Sequence, residues 1–176
     1  MKYISEKMKR CFYRICTLVS PELNSRIIYR NTFHRQLNLE TPTTYNEKLM
    51  WLKLNRYSKD PLVIQCADKY RVREYVAQCG CADILNQLYG VYDSVDDIPW
   101  EELPNQFVLK WNFGAGMNVI CLDKSQMKKE EVFAKMRKWG KKKYWLLYSE
   151  MQYKYIVPKI ICERLLGEVG ENNVSE

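Results

Sequence analysis

FVLKWNFGAGMNVICLDK, residues 107–124, is the stretch on which the fold of this chain turns. Two runs rich in β-formers, 106–111 and 118–122, flank a segment containing Gly114 and Gly116, a pattern that predicts two strands joined by a flexible loop. In the first strand Val108 and Lys110 share one face, while Phe107, Leu109 and Trp111 share the other. Glycine in such a loop lets backbone amides approach an anion with no side chain in the way. A lysine beside it can neutralise phosphate charge. No G-K-[ST] accompanies the glycines and a strand follows them, so this is not a Walker loop. Taken alone, the hairpin fits either a phosphate-holding loop or an ordinary glycine turn with Lys110 facing solvent.

Working outward, Asp68-Lys69 opens a helix upstream that runs to Gly80, with Val72, Val76 and Cys79 on its buried face and Gly80 suited to the C-terminal cap. Residues 84–92 form an apolar run that suits a short strand, followed by an acidic turn. Ser125 is placed to cap a helix continuing to about Trp139, with Gly140 as its stop. Downstream, 159–164 reads as one more strand. Between them lie Lys141, Lys142 and Lys143 and a stretch with Tyr144, Trp145, Tyr148, Tyr153 and Tyr155.

The first half is mainly helical in pattern. Thr44 followed by Glu47 is a capping box, after which Tyr45, Leu49 and Leu52 recur on one face. Asp60-Pro61 is a second start signal, an N-cap followed by proline at the first helical position. Residues 1–20 read as a basic amphipathic helix: Ile4, Met8, Cys11, Phe12, Ile15 and Val19 follow helical spacing, and Lys2, Lys7, Lys9, Arg10 and Arg14 carry charge. Such a helix either packs on its own protein with a solvated basic face or lies on an acidic membrane surface. The first of these is the expectation, and peripheral membrane association through 1–20 is the alternative.

Hydrophobic residues make up 47% and aromatics 13% of the 176 residues, enough for a packed core and against wholesale disorder. The formal charge of +7 points to an anionic partner: nucleotide, nucleic acid or acidic lipid. The seven cysteines are irregularly spaced without a zinc-knuckle pair, and His34 is the one histidine, so reduced thiols in a cytoplasmic protein are expected. No run reaches the length of a membrane span.

Four segments in order, TPTTYNEKLMWLKL, ADKYRVREYV, LPNQFVLKWNFGAGMNVI and EMQYKYIVPKIICERLL, resemble the TupA-like ATP-grasp family, named for teichuronopeptide biosynthesis and often found with bacterial surface-polysaccharide genes. Lysine, then lysine with a glycine loop, then an apolar strand ending in glutamate is the order of an ATP-grasp nucleotide site. The resemblance implies an α+β fold: a helical region over 1–58, an N-terminal ATP-grasp lobe with a small antiparallel sheet over 59–166, and a polar tail over 167–176. It implies that Lys69 and Lys110 contact ATP phosphates. Gly114, Ala115, Gly116, Met117 and Asn118 would form the loop that closes over them, and Glu163 with the backbone through Leu166 would sit at the adenine end. Bland alternatives stand beside these roles, with Lys69 on a helix surface and Glu163 paired to Arg164 or Lys159.

ATP and magnesium are the implied cofactors, with a nucleotide and a polysaccharide or sugar acceptor as partners. The implied reaction is ATP-dependent carboxylate–amine ligation through an acyl phosphate, and the close alternative is a glycosyltransferase of capsular or exopolysaccharide synthesis. A third reading is a non-catalytic basic module, for which nucleic acid is disfavoured because no recognition motif accompanies the lysines and aromatics. Magnesium needs oxygen ligands on ordered strands. After Glu163 the sequence offers Glu168, Glu171, Asn172, Asn173 and Glu176 in a polar run without strand pattern, so no metal ligand is assigned. The second lobe that would carry the metal is expected to be missing, leaving a chain that is inactive alone.

Overall fold

A computed structural model describes residues 5–167. In chain order the elements are α1 (Glu6–Val19), α2 (Pro21–Phe33), α3 (Tyr45–Leu52) running into a π-helical turn (Lys53–Tyr57), α4 (Pro61–Ala67), α5 (Val72–Gln78), β1 (Leu88–Tyr92), β2 (Phe107–Trp111), β3 (Asn118–Cys121), α6 (Lys129–Gly140), α7 (Trp145–Tyr148) and β4 (Ile160–Glu163). Seven α-helices and one antiparallel four-stranded sheet among the described residues make this the expected α+β class, consistent with part of an ATP-grasp fold. The chain divides into two compact units, Met1–Ala67 with Lys143–Ile156, and Asp68–Lys142 with Val157–Glu176.

The first unit is helical. Ser20 ends α1 and caps α2, its hydroxyl accepting the Leu23 N–H at 3.2 Å, and Pro21 occupies the first turn where its missing N–H costs nothing. This Ser-Pro start signal was in the sequence, yet α2 was not among the expected helices. The capping box on α3 forms as expected, with Glu47 accepting the N–H groups of Thr43 and Thr44. The backbone and side-chain hydrogen bonds from Thr44 hold the Glu47 carboxyl down to about 2. Of the three apolar residues that recur on one face of α3, Leu49 is half-buried while Tyr45 and Leu52 are exposed, and Glu47 is the buried residue. Asp60 caps α4 as expected, its carboxylate accepting the Leu62 N–H.

α1 packs, but through a face the sequence did not single out. Its buried residues are Tyr13, Cys16 and Thr17. Met8, Phe12, Ile15 and Val19, expected as the packed stripe, are 51–73% exposed, and Ile4 lies outside the described residues. The reason is a buried polar knot. Thr17 Oγ1 and Ser149 Oγ lie 2.8 Å apart, and Asn24 Nδ2 donates to both and to the Leu147 carbonyl. These groups would be costly to bury singly. Pairing the two hydroxyls with the Asn24 amide nitrogen, although Asn24 Oδ1 is buried without a partner, sets the rotation of α1 against α2 and the segment after α7.

The second unit holds the sheet, in the order β1-β4-β2-β3. The expected hairpin is β2 and β3, with Lys110 opposite Asn118 and Phe107 opposite Cys121. β4 pairs with β2 on its other side, Val108 opposite Glu163 and Trp111 opposite Ile160. The alternation gives the sheet two unlike faces. One, with Phe107, Leu109, Trp111, Val119, Cys121, Ile160 and Cys162, is buried. Trp100 meets Phe107 and Phe133 edge-on at 5.7 and 5.8 Å, and Trp111 Nε1 donates to the Met136 carbonyl of α6 at 3.0 Å. Gly140 at the end of α6 is required there, because a Cβ would come within 2.5 Å of the Trp111 ring. The opposite face carries Val108, Lys110, Asn118, Ile161 and Glu163.

Several boundaries differ from expectation. The strand expected over 84–92 begins at Leu88, and Ile84 is exposed. α5 begins at Val72 because Asp68 organises a turn before it, and Cys79 is exposed rather than buried. Asp123, not Ser125, is the capping residue ahead of α6; it caps a short turn, and α6 starts only at Lys129. Lys124 is tied to the carbonyls of Trp100, Glu101 and Leu103, which holds that turn away from the helix. The polar run from Glu168 onward lies outside the described residues.

Candidate functional site

The second unit gathers its charged groups on the other face of the sheet, where Lys110 and Asn118 are half-buried and Val108, Ile161 and Glu163 are buried. Alternation along β2 places Lys110 there, and antiparallel register with β4 brings Glu163 diagonally across from it. Lys110 Nζ lies 2.8 Å from Glu163 Oε2, and Arg73 Nη1 of α5 lies 3.3 Å from Glu163 Oε1. Arg73 is steadied by a second bond, Nη2 to the Asn86 carbonyl at 2.6 Å. One mostly buried carboxylate is therefore shared between two cations. Lys69 donates instead to the carbonyl of Gly114. Burial, and then the neighbouring Lys110 charge, push the Lys69 ammonium below its ordinary value, while Asp68 and Glu163 act in the opposite sense.

Lys69 is held by a buried scaffold. Asp68 Oδ1 accepts the N–H groups of Tyr70 and Arg71 and a 3.0 Å bond from Asn112 Nδ2. Asn112 is fully buried. Its Nδ2 also donates to the Val157 carbonyl at 2.9 Å and its Oδ1 accepts the Lys159 N–H at 2.8 Å. Its backbone carbonyl accepts the Lys69 N–H, and its own N–H donates to Lys159. One amide side chain thus ties together the turn carrying Lys69, the base of the glycine loop and the entry to β4.

The loop itself turns at Gly114 and Gly116, both at positive φ, 69° and 66°. Nothing lies within 4 Å of where a Gly116 Cβ would be, so glycine is needed there for its backbone conformation rather than for space. Ala115 and Gly116 are exposed at the tip, Met117 turns its side chain into the core, and Asn118 is half-buried opposite Lys110. The structure therefore brings Lys69, Lys110, Gly114 and Glu163 into one cluster, with Asn118 on the same sheet face. Arg73 and Asn112 complete it, and the sequence reading did not include them. Asn112 had a signal: an amide between Trp111 and Phe113 in an apolar stretch.

Three cations, Lys69, Lys110 and Arg73, face two carboxylates, Asp68 and Glu163, so the cluster carries one positive charge in excess. Asp68 is turned inward to amide donors. The arrangement fits an anion with several oxygens. It does not fit magnesium: both carboxylates are engaged, and among the described residues no group of three or more acidic, histidine or cysteine side chains is placed to hold a metal. On the buried face of the sheet, burial pushes the Cys162 thiol up to about 12, which makes it inert.

A concavity of about 410 Å³ lies in the first unit, lined by Tyr29, Phe33, Met50, Tyr148, Lys53 and Glu150 among others. Lys53 begins the π-helical turn and donates to the Tyr148 carbonyl at 3.0 Å. Burial pushes its ammonium down to about 8, against the pull of Glu150, and burial raises the Glu150 carboxyl. The folded protein thus holds the Lys53 proton less tightly than the unfolded chain does. The penalty is present at neutral pH and fades as pH rises from about 8 toward 10.5. Lys53→Met is expected to stabilise the fold by about 1–2 kcal/mol at pH 7 and by less at pH 10. Chemical denaturation at the two pH values measures this, and a variant destabilised equally at both would show that the ammonium is held favourably.

Comparison with protein-family models matches residues 47–174 to the family described as TupA-like ATPgrasp. Neither the curated proteins nor the solved structures returned a match. The matched stretch contains Lys69, Arg73, Lys110, Asn112, the glycine loop and Glu163, and it covers well over half of the chain. The chain belongs to the TupA-like ATP-grasp family.

Proposed function

We propose that the cationic cluster of the second unit grips the triphosphate of ATP. The charge balance carries this reading: Lys110 and Arg73 share Glu163, and Lys69, bonded to the Gly114 carbonyl, adds a third cation beside a loop whose glycines leave its backbone open to a phosphate. A phosphoryl group in transfer accumulates negative charge, and cations already fixed in place stabilise it without reorganising. Lys69 is positioned by Asn112 and Lys110 by its strand, so neither depends on a flexible surface rotamer.

Family membership supports a carboxylate–amine ligase. A carboxylate oxygen of the acceptor attacks the γ-phosphorus and the bond to the ADP oxygen breaks, giving an acyl phosphate. The amine nitrogen then attacks the acyl carbon, phosphate leaves, and the nitrogen releases a proton as the amide forms. We take the acceptor to be a uronic-acid carboxylate of a cell-surface polysaccharide and the amine to come from an amino acid, with ATP use favouring a cytoplasmic site of action. The competing reading is a glycosyltransferase, since the same cations suit the diphosphate of a sugar nucleotide. Against a nucleic-acid module, Tyr144 and Tyr153 pack edge-on at 5.1 Å instead of presenting a stacking platform.

ATP is expected to protect the 107–124 hairpin from proteolysis. Lys69→Ala and Lys110→Ala are each expected to weaken ATP binding about 10- to 100-fold in calorimetric titration, the loss of one charge-assisted hydrogen bond. Unchanged affinity in both variants would remove the cluster from the nucleotide site. ADP release that requires both a carboxylate and an amine supports the ligase. Turnover of a sugar nucleotide without ATP overturns it in favour of the transferase.

A further inference from the structure

We infer that α1 is an in-plane binding helix for an anionic lipid surface. Met8, Phe12, Ile15 and Val19 recur at i, i+4, i+7 and i+11 and are all more than half exposed. This is the spacing of a continuous apolar stripe, and Leu18 beside it is 66% exposed. The stripe is separate from the face that packs, which is Tyr13, Cys16 and Thr17. The helix can therefore stay docked on its own unit while the stripe enters another medium. That separation distinguishes it from a core helix whose apolar residues happen to be loosely covered.

The basic residues of the helix, all but Arg10 within reach of the stripe's flanks, select the occupant. Lys7, Lys9, Arg10 and Arg14 are all exposed, and Glu6 is the single acid of the helix. Helical geometry puts Lys7 and Arg14 on one flank of the stripe and Lys9 on the other, where long basic side chains reach lipid phosphates while the apolar residues sink below them. Lys9 also lies 4.0 Å from Glu6, which leaves Lys7 and Arg14 as the flanking cations that an anionic surface would answer. An anionic bilayer meets both the apolar and the basic requirement. Among the described residues no helix is long and apolar enough to cross a membrane, so the contact is with the surface. It does not rest on the nucleotide reading: the residues involved belong to the first unit and none belongs to the cationic cluster.

The test is co-sedimentation of the whole chain with phosphatidylglycerol vesicles and with phosphatidylcholine vesicles. Binding is expected to the anionic vesicles, weakening steeply as salt is raised, and to fall about tenfold or more in a Phe12→Glu, Ile15→Glu double variant. Both positions are exposed, so the variant keeps its fold, which circular dichroism confirms independently. Failure to bind anionic vesicles, or equal binding by the double variant, overturns the inference. So does a wild-type dimer in sedimentation that the double variant dissociates, since the stripe would then be the seam between two copies.

Discussion

Asn112→Ala is expected to lower the unfolding free energy by about 3–5 kcal/mol. The side chain accepts from Lys159 and donates to Asp68 and to Val157, and all of it is buried. Alanine leaves the Lys159 N–H and the Val157 carbonyl without their partners, each at roughly 1–3 kcal/mol, and opens a cavity where the amide was. The Lys69 turn and the entry to β4 lose their common anchor, so ATP affinity is expected to fall along with stability. Asn112→Asp separates these causes. It preserves shape but sets a second carboxylate against Asp68, so its defect is expected to shrink on mild acidification while that of Asn112→Ala does not. Thermal or chemical denaturation with a parallel ATP titration measures both. An Asn112→Ala protein within about 1 kcal/mol of the wild type would mean that the backbone bonds alone hold the turn.

Glu163→Gln is expected to destabilise the unliganded protein by about 2–4 kcal/mol, because Lys110 and Arg73 are left facing one another with no shared counter-charge. Its ligand response is expected to run opposite to that of Lys110→Ala. With the carboxylate gone, an added polyanion takes over its role, so tripolyphosphate should raise the melting temperature of Glu163→Gln by more than that of the wild type. ATP distinguishes the role implied by the family resemblance. If Glu163→Gln keeps tripolyphosphate but loses ATP, Glu163 serves the nucleoside end of the ligand. If it loses both as severely as Lys110→Ala does, Glu163 is not a competitor for the cations, and the charge-balance reading fails.

The parts legible in the sequence were those decided locally. The hairpin over 107–124 follows from alternation and two glycines, and the Thr44–Glu47 cap and the Asp60-Pro61 start follow from side chains that bond their own backbone. Lys110 was legible as a candidate because strand alternation sets it beside the glycine loop, whereas Glu163 entered only through the family resemblance. What was not legible depended on partners far along the chain. Arg73 reaches Glu163 across 90 positions, and nothing near Arg73 announces that. The orientation of α1 was misread because hydrophobic periodicity ranks faces by apolarity, whereas a knot of Thr17, Asn24 and Ser149 chose a less apolar one. The recurrence of Tyr45, Leu49 and Leu52 on one face of α3 did not say whether anything comes to cover it, and Tyr45 and Leu52 are exposed.

The place of β4 in the sheet has a consequence for assembly during synthesis. Among the described residues it is the last strand in chain order, yet it lies between β1 and β2 and supplies the pairing partner of both. Until residues 160–163 leave the ribosome, β1 has no strand beside it and the β2–β3 hairpin keeps an apolar edge open. Closing the sheet joins β1 to residues 68 to 75 positions later in the chain, a long-range pairing that slows folding. The nascent second unit is therefore expected to be exposed to association for nearly its whole translation time. Its protection would come late, all at once, with the arrival of Ile160–Glu163.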